Sequence, residues 1–375
     1  MQSALDATGL MLSKEASTLT GTQMTQKAND YFKALFDRPE TKSLALVPTL
    51  KALPNGGYQL DIAGSGWVDT TFTRVIGQTK MKVNATTQIV WGFKKLELAL
   101  ALDNTGSMSS SSKMTNLKAA SHSLVKILKK ASQNPGDIKI SIIHFETTVN
   151  IGTSYKNKSW FDWDEIDCNG NNSGKGCSGN SAKNFWGGCV MDRTQPFDAQ
   201  DTKPSNSNSA TLYPGINDCG SLAEAMPLTY DWTALDKRID DMTPNGNTNV
   251  TIGLAWAWHS LTKSVPFNEA ATPNNELDKV VLILTDGDNT EAWNNNTNSP
   301  ITSQSQIDAR TSKVCDNIKA DGIKIYSVRV IDGNASLLKA CATNSGMFFD
   351  VKSASELDAV FKSIAEALAN LRIAR

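Results

Sequence analysis

From Leu96 onward, short runs of apolar residues alternate with stretches whose apolar positions recur at helical spacing. Four segments are candidate strands, at residues 96–102, 138–145, 280–284 and 323–330, and two of them are continuous apolar runs. Continuous apolar runs are typical of strands buried on both faces, and strands that alternate with helices form parallel sheets with crossover helices. The sequence therefore predicts an α/β domain over residues 96–375.

The first 95 residues follow a different pattern and are expected to form a separate region. Residues 1–40 have apolar positions at helical spacing, and Pro39 ends this helical pattern. From Leu44 to Gln88, β-branched and aromatic residues are broken by turn signals such as Pro54-Asn55-Gly56-Gly57, which predicts a small β-meander of about four strands. We therefore expect a helix followed by a meander at residues 1–95.

Residues 153–227 are rich in Asn, Gly and Ser and have no sustained hydrophobic period. This stretch is much longer than the roughly 12 to 15 residues of an ordinary loop, which predicts an elaborated insertion. Four of the six cysteines lie in it, and no C-x-x-C pair indicates a zinc site. Disulfide bridges are favoured, with buried free thiols as the alternative.

Composition excludes several classes of protein. The 37 Lys and Arg residues balance 38 Asp and Glu residues, so no overall field attracts nucleic acid or an anionic membrane. With 40% hydrophobic and 20% charged residues, the chain is expected to be globular, neither disordered nor an integral membrane bundle. The first residues have no charged n-region and no apolar h-region of a signal peptide.

Acidic and hydroxyl residues directly follow two of the predicted strands. Asp103, Thr105 and Ser107 form the pattern D-x-T-x-S after the first strand, and Asp286 follows the third within the sequence Thr-Asp-Gly. The carboxyl ends of parallel strands meet at one edge of the sheet, where open α/β sheets bind ligands. Thr248, at the start of a predicted helix after a turn-forming segment, is a candidate third contribution.

Two interpretations of these residues are open at this point. Taken singly, Asp103 and Thr248 are more simply explained as N-cap residues of the helices that follow them. Taken together, hydroxyl and carboxylate oxygens from three segments are the ligands that a hard divalent cation such as Mg²⁺ prefers. These three motifs are unlikely to occur together by chance, so their combination favours a metal site.

The combination resembles the metal-ion-dependent adhesion site of the von Willebrand factor A (vWA) family, which uses D-x-S-x-S, a downstream Thr and a downstream Asp. The resemblance covers residues 96–371 and implies a vWA-type fold, a doubly wound, mostly parallel sheet with helices on both faces. The metal residues that it implies are Asp103, Thr105, Ser107, Thr248 and Asp286. Thr105 departs from the commoner Ser but keeps the hydroxyl. In the family the hydroxyls usually contact the metal directly and the acids often act through water, and the implied cofactor is Mg²⁺, or else Mn²⁺ or Ca²⁺.

The whole chain is also similar to the TadG-like proteins of bacterial Tad/Flp pilus assembly. These proteins carry an N-terminal membrane helix, a small pilin-like region and a C-terminal vWA domain. Residues 1–8 resemble the segment directly after that membrane helix, and residues 337–361 resemble the end of the family. The resemblance implies an extracytoplasmic protein, in the periplasm or at the cell surface, held by a membrane anchor that this chain lacks. Residues 1–95 would then be a pilin-like stalk.

An extracytoplasmic location also supports disulfides. On this resemblance we expect Cys315 to pair with Cys341 and Cys168 with Cys177. Cys189 and Cys219 are further disulfide candidates whose pairing is left open.

The function that the resemblance implies is adhesion or assembly without catalysis. The metal would bind an acidic side chain of a protein partner, such as another pilus component, and no nucleic-acid partner is expected. Two alternatives are kept: a metal-dependent hydrolase that uses Asp103, and a structural minor pilus subunit with a vestigial metal site. The histidines, His122, His144 and His259, are expected to be structural.

Overall fold

The computed structural model describes residues 1–53, 57–70, 77–92, 94–168, 181–294 and 299–371. It contains two compact units, one formed by Met1–Lys94 and the other by Lys95–Ala369. Across these described ranges, no helix combines the length and the apolar character needed to cross a bilayer.

The first unit contains two helices and one antiparallel sheet. Its elements are α1 (Gln2–Ser13), α2 (Gly21–Leu35), β1 (Thr41–Ala52), β2 (Tyr58–Asp69) and β3 (Lys80–Trp91). The sheet order is β1-β2-β3, and Leu5, Phe32 and Leu60 lie in the core of the unit. The sequence predicted about four strands, whereas this described part of the chain has three. The strands are twelve residues long, about twice the common length, so the same segment forms fewer of them.

The second unit alternates strands and helices. Its elements in chain order are β4 (Lys95–Asp103), α3 (Lys113–Ala131), β5 (Ile138–Phe145), β6 (Val149–Asn150), β7 (Phe161–Asp162), α4 (Ala182–Phe185), β8 (Cys189–Val190), β9 (Tyr213–Ile216), β10 (Met226–Thr229), α5 (Trp232–Asp240), α6 (Val250–Ser260), β11 (Leu277–Thr285), β12 (Ala292–Asn294), β13 (Ser299–Ile301), α7 (Gln304–Ala320), β14 (Lys324–Val330), α8 (Ala335–Cys341), β15 (Phe348–Val351) and α9 (Leu357–Leu371). The four predicted strands correspond to β4, β5, β11 and β14.

The main sheet has the order β10-β5-β4-β11-β14-β15. Five strands run parallel and only β10 pairs antiparallel, so the predicted parallel sheet is confirmed. Counted in chain order within this sheet, the strands lie 3-2-1-4-5-6. The order reverses between β4 and β11, the point at which open α/β sheets leave a crevice at the strand carboxyl ends.

The two faces of β4 carry side chains of different size. Leu98, Leu100 and Leu102 point into the core cluster that includes the apolar residues of α3 and α9. Ala99 and Ala101 point to the opposite face, into the cluster that includes α6 and α7. Every residue of α6 is buried, because the small alanines of β4 leave room for this helix close to the sheet.

The described part of the insertion contains short strands and aromatic packing. Strands β7, β8 and β9 of the insertion form a small sheet with β6, which precedes the insertion, in the order β6-β8-β9-β7. Trp160 and Trp186 are buried in the same cluster as α6, and the Trp163 ring lies 5.5 Å from the Trp186 ring. The insertion therefore extends the core of the second unit on the α6 side of the sheet.

Two disulfides of the second unit join cysteines that the structure describes at both ends. Cys315 of α7 is bonded to Cys341 of α8, and Cys189 of β8 is bonded to Cys219. The free-thiol alternative therefore does not hold for these four residues. The expected bridge from Cys168 to Cys177 involves Cys177, which lies outside the described residues.

We expect the double substitution Cys315→Ala and Cys341→Ala to lower the free energy of unfolding by about 3 to 4 kcal/mol. The bridge spans 26 residues, so its loss restores the conformational freedom of that loop to the unfolded chain. The measurement is urea denaturation of the oxidised protein, with reduced wild type as the control. A loss below about 1 kcal/mol would contradict this account.

Candidate metal centre

The candidate site lies where β4 and β11 end side by side. Leu102 pairs with Leu284 in the parallel ladder, so the residues that follow them emerge next to each other. Asp103 and Asp286 are both fully buried there. The topology thus brings together, at the switch point of the sheet, two acids that are 183 residues apart in the sequence (286 − 103).

Asp103 uses both of its carboxylate oxygens within the protein. Its Oδ1 accepts a hydrogen bond of 2.8 Å from the backbone N–H of Thr105, and its Oδ2 accepts one of 2.6 Å from the Thr285 hydroxyl. Burial, followed by the charge of Asp286, raises the pKa of Asp103 to about 6. Asp103 therefore fixes the loop that carries Thr105 and ties it to β11.

A chain of hydroxyl contacts joins the first motif to Asp286. Thr105 Oγ1 lies 3.0 Å from Ser107 Oγ, and the Ser107 hydroxyl donates a 2.6 Å hydrogen bond to Asp286 Oδ1. Four of the five sequence-predicted residues, Asp103, Thr105, Ser107 and Asp286, are therefore connected by one continuous series of contacts.

The loop before α6 brings Thr248 to the same place. The Asn245 N–H donates to the Asn104 carbonyl at 2.7 Å, and the Gly106 N–H donates to the Gly246 carbonyl at 3.0 Å. Gly246 has a φ of +75°, and the Glu146 carboxylate occupies the position where a β-carbon would lie, so a residue without a side chain is required there. The Thr248 N–H donates to the Thr290 hydroxyl at 2.8 Å, which completes the placement of Thr248.

The simpler N-cap explanation does not apply to Asp103 or Thr248. The N-cap of α6 is Asn249, whose side chain accepts from the Ile252 N–H at 3.3 Å. The short 3-10 helix that follows Asp103, Gly106–Ser109, has Thr105 as its N-cap, and α3 begins only at Lys113. Neither residue therefore caps a helix.

Gly287 leaves space between two of the predicted hydroxyl ligands. A β-carbon at this residue would lie 3.3 Å from Thr248 Oγ1 and 3.5 Å from Ser107 Oγ. The donors around this space are hydroxyls and carboxylates, which suit a hard cation such as Mg²⁺. Among the residues that the structure describes, no cluster of three or more His, Cys, Asp or Glu side chains is placed to hold a metal. The oxygen donors around Gly287 have the chemistry of the predicted magnesium site, which stays a prediction here.

Sequence reasoning missed a buried lysine at this site. Lys113, the first residue of α3, is 3% exposed, and its Nζ lies 2.7 Å from Asp286 Oδ2. The same Nζ lies 3.7 Å from Asp332 Oδ2 in the loop after β14. Lysines at helix ends are normally solvated, so the sequence carries no local signal for this contact.

Sequence reasoning also missed Glu146, which follows β5 beside the loop that carries Thr248. Its backbone carbonyl accepts from the Asn249 N–H at 3.0 Å, and its side chain accepts from the Thr148 hydroxyl at 3.3 Å. Burial raises the pKa of Glu146 to about 7, and the charges of Asp218 and Glu291 act in the same direction. Glu146 therefore supports the position of Thr248.

The histidines contact residues outside this group. His122 lies 2.8 Å from Asp236 and 3.0 Å from Asp240, and His259 lies 3.0 Å from the Tyr213 hydroxyl. His144 is fully buried, and burial lowers its pKa to about 3. The structural role expected for the histidines agrees with these environments.

Comparison with known proteins gives matches only among solved structures, since no family model and no curated protein matches the chain. The vWF domain of the type V pili tip protein Mfa5 from Porphyromonas gingivalis is similar, with 13% identity and a TM-score of 0.45 over 76% of this chain and 97% of that one. The pilus adhesin SpaC from Lactobacillus rhamnosus GG has 12% identity and a TM-score of 0.43 over 90% of this chain.

The PilB minor pilin from Streptococcus sanguinis is also similar, with 12% identity and a TM-score of 0.41 over 88% of this chain and 79% of that one. This chain spans only 36% of the SpaC chain. All three TM-scores are low, so function is inferred from the chain's own residues and not from these likenesses.

Proposed function

We propose that this chain is an extracytoplasmic vWA-type adhesion or assembly module of a Tad/Flp pilus system, which binds a protein partner through a divalent metal. The observation that carries the proposal is the convergence of three distant segments at the β4–β11 switch point. These segments contribute the Thr105 and Ser107 hydroxyls, the Thr248 hydroxyl and Asp286, joined by contacts of 2.6 to 3.0 Å or arranged around Gly287.

The donor set supports a cation that keeps affinity for an outside ligand. In the proposal, Thr105, Ser107 and Thr248 hold the metal, and Asp103 and Asp286 support them. Because hydroxyls are neutral, they leave much of the charge of a divalent ion uncompensated. When bound, Mg²⁺ supplies a Lewis-acidic centre that attracts the carboxylate of an acidic side chain. Mn²⁺ and Ca²⁺ are the alternative ions.

The environment of Asp103 favours binding over catalysis. A nucleophilic carboxylate needs an oxygen that can reach the substrate, whereas both oxygens of Asp103 accept hydrogen bonds and the residue is fully buried. The hydrolase alternative therefore has no observation in its favour, and the module is proposed to be non-enzymatic.

The disulfides support the proposed location. A chain of this size does not need covalent cross-links to form a core, so bridges such as Cys315–Cys341 indicate an oxidising compartment. Within the proposed Tad/Flp system, the first unit is the pilin-like stalk and the second unit is the binding domain.

We expect Thr248→Val to weaken Mn²⁺ binding by about 10- to 100-fold, because valine keeps the shape of the side chain and removes its hydroxyl. Isothermal titration of the full chain with MnCl₂ measures the affinity. Thr8→Val is the matched control, since the Thr8 hydroxyl is buried in the first unit and donates to the Ala4 carbonyl at 2.7 Å. Equal affinities for Thr248→Val and Thr8→Val would remove Thr248 from the site.

Gly287→Ala is expected to weaken Mn²⁺ binding by about tenfold or more, because its β-carbon would enter the space beside Thr248 Oγ1 and Ser107 Oγ. The unfolding temperature in EDTA should stay close to that of wild type. Gly21→Ala is the control, since its β-carbon would meet no atom within 4 Å. Wild-type affinity in Gly287→Ala would place the metal elsewhere.

The third outcome that we expect concerns the partner. A short peptide containing glutamate should displace water from the Mn²⁺-loaded protein and lower its proton relaxation enhancement, because a carboxylate ligand replaces bound water. The same peptide with glutamine should have little effect. Metal binding without a difference between the two peptides would contradict the adhesion mechanism, and absence of metal binding would favour the structural subunit with a vestigial site.

A further inference from the structure

Lys113 is a buried cation at the centre of the candidate site. Its side chain is 4% exposed, and its ammonium donates to Asp286 Oδ2 at 2.7 Å while Ser107 donates to the other oxygen, Oδ1. Lysine is almost never buried unless it is paired. Both oxygens of Asp286 are therefore engaged, one by a neutral predicted metal ligand and the other by a positive charge.

The backbone just before α3 has an unusual conformation that determines where Lys113 lies. Ser111 and Ser112 both have left-handed backbone angles, with φ of 52° and 55°, which is unusual for consecutive residues other than glycine. They precede Lys113, which is thereby the first residue of α3. A cation at a helix N-terminus opposes the helix dipole, so the carboxylates around Lys113 must compensate for its position.

A second carboxylate lies within reach of the same ammonium. Asp332 Oδ2 is 3.7 Å from Lys113 Nζ, and the Asp332 side chain is 71% exposed. The loop that carries it turns sharply at Ile331, whose φ is +67°, with the Asp332 N–H donating to the Val330 carbonyl at 2.7 Å. Such a γ-turn is rare and strained, particularly for a β-branched residue.

This loop also packs directly on the residue after Asp286. A β-carbon at Gly333 would lie 2.8 Å from the Gly287 carbonyl oxygen, so only glycine permits this approach without a shift. Asp332 is thus held beside the site by its own backbone. Lys113 therefore lies between a buried carboxylate at hydrogen-bond distance and an exposed one slightly farther away.

We propose that Lys113 is a tethered cation that competes with the divalent metal for Asp286 and transfers to Asp332 when the metal binds. This inference rests on the proposed function. A divalent ion beside Asp286 repels the ammonium, and a shift of about 1 Å brings Lys113 Nζ to the usual length of a charged hydrogen bond to Asp332. Lys113 thereby lowers the affinity of the site for the metal, and Asp332 reduces that effect.

The test is Mn²⁺ binding to the full chain, measured by titration calorimetry and by electron paramagnetic resonance of free Mn²⁺. Lys113→Met should bind Mn²⁺ about tenfold tighter than wild type, because a positive charge beside Asp286 is removed. Asp332→Asn should bind it more weakly than wild type, because the displaced ammonium loses its second partner. Lys118→Met on the same helix is the matched control, since Lys118 Nζ contacts the Asp240 carbonyl instead.

A merely structural role for Lys113 predicts a different result. It would lower the unfolding temperature of Lys113→Met equally in EDTA and in Mn²⁺, whereas competition predicts a loss in EDTA that Mn²⁺ largely restores. Affinity in Lys113→Met that equals or falls below that of wild type overturns the proposal while leaving the metal site in place. If Lys113→Met does not fold, unchanged affinity in the exposed Asp332→Asn variant overturns it.

Failure of the proposed function gives a separate pattern. If neither wild type nor Lys113→Met binds Mn²⁺, the proposed metal site is wrong, and the proposed competition is wrong as well. If only Lys113→Met binds, Lys113 outcompetes the metal in the native chain, which supports the competition and contradicts metal-dependent adhesion.

Discussion

Burial of two carboxylates at adjacent strand ends is the constraint on which the rest of the second unit depends. Asp103 and Asp286 are fully buried, and each is expensive to remove from water unless its oxygens are satisfied. Their mutual repulsion adds to that cost, as the raised pKa of Asp103 indicates. The surrounding residues compensate: Asp103 accepts from Thr105 and Thr285, and Asp286 accepts from Ser107 and Lys113.

These compensating contacts determine where three loops lie. The loop after β4 is held to β11 through Asp103, and the loop before α6 is held to the loop after β4 by the Gly106 to Gly246 hydrogen bond. The loop after β14 approaches through Gly333, which packs on Gly287. The alanines of β4 also help to position Thr248. Their small side chains let the buried helix α6 pack close to the sheet, and the loop before α6 carries Thr248 to the site.

Sequence reasoning predicted the features that depend on local pattern. The apolar runs predict the four strands, and strands that end in acids place Asp103 and Asp286 at one edge, because parallel order follows from alternation with helices. Features that depend on packing had no such signal. Nothing in the local sequence marks Lys113 or Glu146 as part of a site, and the three twelve-residue strands of the first unit were predicted as about four. The N-cap explanation of Thr248 failed for a related reason, since the neighbouring Asn249 takes the cap.

A balance of charge connects these observations. Asp103 and Asp286 contribute two negative charges, and the positive charge of Lys113 lies 2.7 Å from Asp286. A site with this balance is less negative than two free carboxylates, so it attracts a divalent cation less strongly and stays more stable when the cation is removed. In the proposed function, the surface binds and releases an acidic partner, which requires a metal that is held weakly and keeps much of its positive charge. Under that proposal, neutral hydroxyl ligands and the buried Lys113 meet both requirements, and the lysine lies next to the residues proposed to hold the metal.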